Sequence, residues 1–268
     1  MKKHLMIFLG LLLISSGAYA QTKRPNVIDT PTAFTIGRGT YEFNFLGYDN
    51  GGVNFKTFVG LHDAMFLGAS TDIQNLIGKD KPRFNIPGVV TKIKFTDGTE
   101  NFPISIAVGY DSFYIGKDGK VYDTIDKKKG FLFPPYYGYN YLRKKYSSKS
   151  KNQLDRTIYG PYAVITNTIY LFDSEQYISY GARVPTQPDF IPKDSSYFLG
   201  IDVPLGEYFR IKAETERVYW NLGRTKKWLV NFGVRYTYLE QLSIEFDLLL
   251  QTNRTLNRVL RIEYHGEF

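Results

Sequence analysis

Apolar and polar residues alternate with a period of two along most of the chain, and short groups of turn residues interrupt the alternation. This pattern predicts β-strands, because successive side chains of a strand point to opposite faces. The residues that interrupt it mark the strand ends. Twelve strands are predicted, with bounds near 40–48, 53–61, 65–73, 88–96, 103–115, 158–172, 176–184, 195–203, 207–218, 226–238, 241–251 and 256–268.

The alternation is clean in most of these strands but not in all of them. Phe209 and Ile211 take one face of their strand, whereas Arg210 and Lys212 take the other. The strand near 158–172 is mostly apolar on both faces, so we expect a bulge or a misread register there.

The connections between the predicted strands alternate in length. Those after the second, fourth, sixth, eighth and tenth strands are short, whereas four of the other six are longer, at 74–87, 116–157, 185–194 and 219–225. Transmembrane barrels have short periplasmic turns and longer external loops. A soluble β-sandwich also has apolar and polar residues in alternation, but it does not require connections that alternate between short and long. The sequence therefore favours an all-β fold, a transmembrane antiparallel β-barrel of about 12 strands with both termini in the periplasm.

The start of the chain predicts export. Lys2 and Lys3, the apolar stretch 5–14 and the small-residue site Ala18-Tyr19-Ala20 follow the order of a secretory signal peptide. We therefore expect cleavage after Ala20. The predicted division is a signal peptide at 1–20, a periplasmic N-terminal segment at 21–39 and an outer-membrane barrel at 40–268.

The end of the chain predicts the destination. The last strand closes on Phe268, with Tyr264 on the same apolar face. An aromatic C-terminus on the lipid face resembles the terminal signal read by the barrel assembly machinery. We expect a monomer in the outer membrane of a diderm bacterium, in contact with lipid and lipopolysaccharide. The chain has no cysteine, so strand pairing and packing must hold it without disulfides, and no cofactor is predicted.

Eight basic and nine acidic residues fall on the polar faces of the predicted strands. Charges inside a barrel can pair with one another and fill a narrow lumen. Alternatively, they can line a small channel, in which a basic wall of Lys56, Lys92 and Lys94 attracts anions or acidic oligosaccharides. The predicted inner charges are Lys56, Lys92, Lys94, Arg183, Arg210, Lys212, Arg235, Arg261, Glu42, Asp111, Asp202, Glu214, Glu216, Glu245, Asp247, Glu263 and Glu267.

The connection 116–157 is basic and aromatic. Its 11 basic and four acidic residues give it a net charge of +7, and it holds eight aromatic residues. An external loop of this kind can be a solvated cap, or it can bind lipopolysaccharide phosphates or acidic polysaccharide. The candidate contact residues are Lys127, Lys128, Lys129, Tyr136, Tyr137, Tyr139, Tyr141, Arg143, Lys144 and Lys145.

Catalysis, metal binding and nucleic-acid binding find little support in the sequence. Outer-membrane lipases and deacylases resemble one another in placing a histidine two residues before a nucleophilic serine. After signal cleavage the chain keeps His62 and His265, and neither is followed by a serine at that spacing. Two distant histidines without cysteine form no metal cluster. An exported chain rarely meets nucleic acid, and its basic residues concentrate on one loop.

Five short motifs lie between about residues 29 and 111, namely Asp29-Thr30-Pro31-Thr32-Ala33, Gly51-Gly52-Val53, the stretch 67–78, Pro87-Gly88-Val89 and Ala107-Val108-Gly109-Tyr110-Asp111. They resemble a family of bacterial outer-membrane barrels related to the exopolysaccharide-associated protein YjbH. The resemblance implies involvement with secreted or surface polysaccharide.

The resulting functional hypothesis is a non-enzymatic surface or envelope component linked to exopolysaccharide export or attachment. Two alternatives stay open. One is a narrow porin-like channel for small anionic solutes or oligosaccharides. The other is a soluble periplasmic β-sheet protein that binds a ligand.

Overall fold

The computed structural model describes residues 23–48, 51–79, 81–84, 87–99, 101–116, 155–171, 174–184, 195–220, 225–250 and 256–268. These residues contain thirteen strands. They are β1 (Thr40–Tyr48), β2 (Gly52–His62), β3 (Met65–Gln74), β4 (Arg83–Phe84), β5 (Gly88–Thr96), β6 (Ile104–Gly116), β7 (Asp155–Leu171), β8 (Ser174–Arg183), β9 (Ser196–Leu205), β10 (Phe209–Trp220), β11 (Thr225–Tyr238), β12 (Leu242–Leu250) and β13 (Leu256–Glu267).

The strands form a closed antiparallel barrel. Each long strand pairs with its neighbours in the chain, and β1 pairs with β13 from Thr40 opposite Glu267 to Gly47 opposite Leu260. The two-residue β4 pairs with the end of β3. The other twelve described strands close the ring, which confirms the predicted all-β barrel and its strand number.

The strand near 158–172 is more regular than predicted. As β7, it pairs with β6 over thirteen successive residue pairs, from Ile104 opposite Asn167 to Gly116 opposite Asp155, without a register shift. Register shifts occur instead between β2 and β3 and between β5 and β6. The expected bulge is therefore wrong, and the apolar character of both faces of β7 has another cause.

The barrel is apolar outside and polar inside. On β12, Ile244 and Phe246 are 43% and 47% exposed, whereas Glu245 and Asp247, which alternate with them, are fully buried. The same order holds on β10, where Ile211 is exposed and its polar neighbours are buried. An apolar outer face of this kind suits contact with hydrocarbon.

No helix in the described part of the chain is long and apolar enough to cross a membrane.

The two ends of the barrel differ in their connections. We call the end at which β1 begins and β13 ends the terminal mouth. The described turns at this mouth are short, and the one between β11 and β12 places Leu239 and Glu240 at φ 50° and 60°, as a tight hairpin turn requires. The strand ends that the longer connections join lie at the opposite mouth. A transmembrane barrel with this arrangement has the terminal mouth in the periplasm.

Aromatic side chains surround the seam between β1 and β13 at the terminal mouth. The ring of Tyr41 lies 5.1 Å from that of Phe268, 5.3 Å from Phe43 and 6.2 Å from Tyr264. The backbone N–H of Phe268 donates to the carbonyl of Gly39 at 2.9 Å. Tyr264 and Phe268 thus lie on the outer face, and their role as an assembly signal stays a prediction.

Residues 23–36 lie inside the barrel, which differs from the predicted periplasmic segment at 21–39. Val27, Thr30 and Ala33 are fully buried, although this stretch has no strand of the barrel. Barrels of about eight strands are filled by their own side chains, whereas wider ones leave internal space. We call residues 23–36 the inserted segment.

Candidate functional site in the barrel lumen

The inserted segment is a compact loop. The N–H of Val27 donates to the carbonyl of Thr30 at 2.9 Å, and that of Thr32 donates to the carbonyl of Pro25 at 3.0 Å. The Thr32 hydroxyl also donates to the carbonyl of Arg24 at 2.6 Å. The chain therefore turns back on itself, with Val27 to Thr30 at its tip.

Both arms of the loop lead to the terminal mouth. On the first arm, Arg24 forms an ion pair with Glu42 at 3.2 Å, close to the start of β1. On the second arm, the Thr35 hydroxyl donates to the carbonyl of Asp63, in the turn after β2, at 2.6 Å. The segment enters the barrel and returns through the same end.

Glu214 of β10 binds the tip of the loop through its main chain. One carboxylate oxygen accepts the N–H groups of Ile28, Asp29 and Thr30 at 3.1, 2.9 and 2.8 Å, and the Thr30 hydroxyl at 2.9 Å. The other oxygen accepts a hydrogen bond from the side-chain amide of Asn231 at 2.6 Å. Successive N–H groups in a turn form a concave anion site, and here a carboxylate of the barrel wall fills it. The contact gives hydrogen-bond partners to three main-chain N–H groups, which would cost free energy if they were buried unpaired.

Lys92 of β5 binds the same loop through its carbonyl groups. Its ammonium donates to Pro25 at 2.6 Å, Thr32 at 2.8 Å and Phe34 at 3.1 Å. An ammonium group has three N–H donors, so the segment can use all of them. The side chain is fully buried, and its ammonium lies 5.3 Å from the ring centre of Phe66.

A network of buried ion pairs joins the tip to strands β10, β12 and β13. Arg261 of β13 pairs with Asp29 at 2.9 Å and with Asp247 at 3.3 Å. Lys212 donates to the carbonyl of Val27 at 2.6 Å and to Glu245 at 2.7 Å. Since a buried charge is costly without a partner, these contacts couple the position of the segment to the charges of the wall.

Apolar residues of the segment pack on apolar inner side chains of the barrel. Three clusters form, around the tip, around Ala33 and around Ile36. Their members are Val27, Ile28, Leu46, Tyr48, Leu249 and Val259; Ala33, Ala107, Tyr162, Val164 and Phe198; and Ile36, Phe58, Phe66 and Val90. The second cluster explains the apolar inner face of β7, because Tyr162 and Val164 receive Ala33.

Two glycines let the segment approach the wall closely. A Cβ at Gly200 of β9 would lie 2.7 Å from Val27 Cγ2 and 2.9 Å from the Thr30 hydroxyl oxygen. A Cβ at Gly233 of β11 would lie 3.2 Å from Ile28 Cδ1. Larger residues at these positions would occupy the space of the tip.

The structure places most of the predicted inner charges on the inner face, where they are buried. Five of them contact the inserted segment directly through described hydrogen bonds or ion pairs, namely Glu42, Lys92, Lys212, Glu214 and Arg261. Others pair along the wall, as Arg210 does with Asp202, Arg183 with Glu216 and Asp111, and Arg235 with Glu245 and Glu263. Glu267 is exposed at the terminal mouth.

The three lysines of the predicted basic wall have different surroundings. Lys92 is held by the segment, and Lys56 is buried on the inner face of β2. Lys94 pairs with the exposed Asp97 at 2.8 Å near the terminal mouth. Lys92 and Lys94 thus have partners within the protein itself.

Sequence reasoning missed the inserted segment itself. One signal was present in the alternation, because Leu46, Phe58, Phe66 and Val259 occupy the polar register of their strands and point inward. Apolar side chains on the inner face indicate that something packs against them. The glycan-contact residues predicted between 127 and 145 lie outside the described residues.

The two histidines have structural surroundings. His62 accepts a hydrogen bond from the N–H of Ala64 at 3.1 Å in an exposed turn, and His265 lies opposite Glu42 in the seam. Among the described residues, no group of three or more side chains is arranged to hold a metal ion.

No protein-family model matches the chain, and no curated protein matches it. The resemblance to the YjbH-related family is therefore not supported by these comparisons. Solved structures of similar overall shape include the KdgM porin (TM-score 0.48, 10% identity, 85% of this chain and 99% of that chain), the NanC porin (0.44, 12%, 85% and 99%) and the outer membrane protein Omp33 of Acinetobacter baumannii (0.43, 9%, 85% and 97%). At these values the likeness concerns the barrel architecture alone.

The fold defines the class of protein, a transmembrane antiparallel β-barrel of twelve strands. Its distinguishing feature is an N-terminal segment that occupies the lumen.

Proposed function

We propose that the protein is a non-enzymatic, porin-like channel for small polar solutes, and that the inserted segment holds it closed. The segment contacts nearly opposite sides of the ring, at Lys92 on β5 and at Glu214 on β10. This bridging contact is the observation that carries the proposal, because a segment tied to both walls obstructs the space between them.

The width of the barrel supports a pathway once the segment leaves. Side chains fill the interior of barrels of about eight strands, whereas barrels of about 16–18 strands hold an aqueous channel. A ring of twelve strands lies between these sizes. Withdrawal of fourteen residues would leave a narrow passage with charged walls.

The charges on that passage favour small polar solutes over large or apolar ones. Withdrawal would free Lys92 from its three carbonyl partners and Glu214 from the donors at the tip. An anionic solute or an oligosaccharide would then meet an ammonium on one side and a carboxylate on the other. Small anionic solutes and oligosaccharides are therefore the candidates, with Lys92 as the contact for the anion.

Asp29→Arg tests the proposal in the full chain. The new cation faces Arg261 in place of the 2.9 Å ion pair and should expel the tip. Asp97→Arg is the matched control, because Asp97 is exposed at the terminal mouth. We expect stable single-channel steps in planar bilayers for Asp29→Arg and none for the control. A folded Asp29→Arg barrel that exposes the segment but conducts no ions would refute the channel.

A non-conducting envelope component linked to exopolysaccharide export or attachment is the second candidate. The occupied lumen favours it, since such a role needs no passage through the barrel. The same recording separates the two functions, because a sealed barrel after release of the segment supports the envelope role.

A further inference from the structure

We propose that the lumen is a binding site for a peptide loop, which residues 23–36 occupy as part of the chain, and that the site takes the same sequence as a separate peptide. The proposal deepens the proposed function and rests on it for the conductance readout. Binding itself is measured independently.

The wall recognises the main chain of its ligand. Glu214 accepts three successive N–H groups, Lys92 donates to three carbonyls, and Lys212 donates to the carbonyl of Val27. In addition, the N–H of Ala33 donates to the Thr166 hydroxyl at 2.7 Å. These eight main-chain groups match the shape of a tight loop, so the chemical class of the ligand is a short peptide with a turn.

Side chains at the tip make the site selective. Asp29 pairs with Arg261. Val27 and Ile28 pack in the apolar cluster that surrounds the tip. Gly200 leaves the space that the tip requires. A peptide with the same composition in another order would lose both the ion pair and the apolar fit.

The path of the chain allows the loop to come and go. Both arms reach the terminal mouth, so the segment can withdraw as a hairpin without threading an end through the barrel. The link to β1 is exposed at Arg38 and Gly39, and Gly39 has a φ of +73° with no heavy atom within 4 Å of a Cβ built there. An insertion at this link lies between the inserted segment and β1 and adds residues to neither, and the contacts that it can disturb are the backbone hydrogen bonds of Arg38 and Gly39 to Asp63, Gly60 and Phe268.

The experiment separates the segment from the barrel after the full chain has folded. A recognition sequence for a site-specific protease is inserted between Arg38 and Gly39, and the purified protein is cleaved in detergent. A fluorescent synthetic peptide of residues 23–38 is then added in excess. We expect saturable uptake of the peptide in exchange for the cleaved fragment, and closure of any conductance that cleavage opened.

Matched controls identify the site. A scrambled peptide and the Asp29→Arg peptide should bind at least tenfold more weakly than the native sequence. Glu214→Gln in the cleaved barrel should weaken the native peptide similarly, whereas Glu240→Gln, in an exposed turn, should not. No uptake of the native peptide, or equal uptake of the scrambled one, would overturn the proposal.

The failures of the two proposals are distinguishable. Saturable, sequence-dependent uptake without conductance at any stage supports the peptide site and refutes the channel. Conductance after cleavage that the native peptide neither binds nor blocks supports the channel and refutes the peptide site.

Discussion

Lys92 and Glu214 hold one short loop from nearly opposite sides of the barrel, and both do so through its main chain. The ammonium of Lys92 donates to three carbonyls, and the carboxylate of Glu214 accepts three N–H groups. Each of these wall charges thus has three partners in the polar backbone of the segment. The barrel and the segment satisfy one another, which links the position of the segment to the stability of the lumen.

Glu214→Gln should loosen the tip of the loop. The amide that replaces the carboxylate is a neutral and weaker acceptor for three main-chain donors, so we expect a loss of about 1–3 kcal/mol in docking of the segment. Amide hydrogen exchange at Ile28, Asp29 and Thr30 should become about 5- to 150-fold faster, the factor to which this loss corresponds. Glu240→Gln should leave these rates unchanged. Unaltered protection in Glu214→Gln would show that the contact does not hold the tip.

Lys92→Met should weaken the binding of the inserted segment to the barrel wall, because the three carbonyls that Lys92 contacts lose this donor. Lys94→Met is the matched control, because Lys94 lies on the same strand and pairs with Asp97 near the terminal mouth. We expect more frequent openings in single-channel recordings for Lys92→Met than for Lys94→Met. Identical opening frequencies would argue against a role of Lys92 in holding the segment.

Gly200→Ala should displace the segment by direct overlap. The new Cβ would lie 2.7 Å from Val27 Cγ2, whereas at Gly47 the nearest atom to such a Cβ is 3.9 Å away. The chain has no cysteine, so Ala33→Cys supplies a single reporter thiol. Maleimide should label this thiol faster in the Gly200→Ala background than in the Gly47→Ala background. Equal labelling rates would contradict the close approach at Gly200.

Phe246→Arg should destabilise the barrel in a bilayer. Phe246 is 47% exposed on the outer face at the centre of β12, where lipid is expected to surround it. A charged residue near the bilayer midplane costs about 2–4 kcal/mol in a transmembrane barrel. Urea unfolding in liposomes should show this loss, and Asp97→Arg should not. An unchanged midpoint would argue against a lipid-facing surface.

The barrel could be predicted from the sequence because its signal is local. In β12, the alternation of Leu242, Ile244 and Phe246 with Ser243 and Glu245 identifies both the strand and its outer face. All twelve barrel strands fall within three residues of their predicted bounds.

The occupied lumen could not be predicted in the same way, because its contacts are distant in sequence. Glu214 binds residues 184 to 186 positions away, and it binds their backbone, which leaves no side-chain pattern to read. The inner apolar residues of β7 were visible, but without the segment they indicated a bulge. The motif Asp29-Thr30-Pro31-Thr32-Ala33 forms much of the inserted loop, although its sequence alone does not indicate a place in the lumen.

The most direct test locks the segment in place while the barrel is otherwise free to conduct. Cysteines at Val27 and Gly200 suit this purpose, since a Cβ built at Gly200 lies 3.2 Å from that of Val27, a few tenths of an ångström below the usual disulfide spacing. The pair is introduced together with Asp29→Arg, and single channels are recorded before and after reduction. The account predicts no steps in the oxidised protein and stable steps once the disulfide is reduced. Steps that persist in the fully oxidised protein would contradict the claim that residues 23–36 close the lumen.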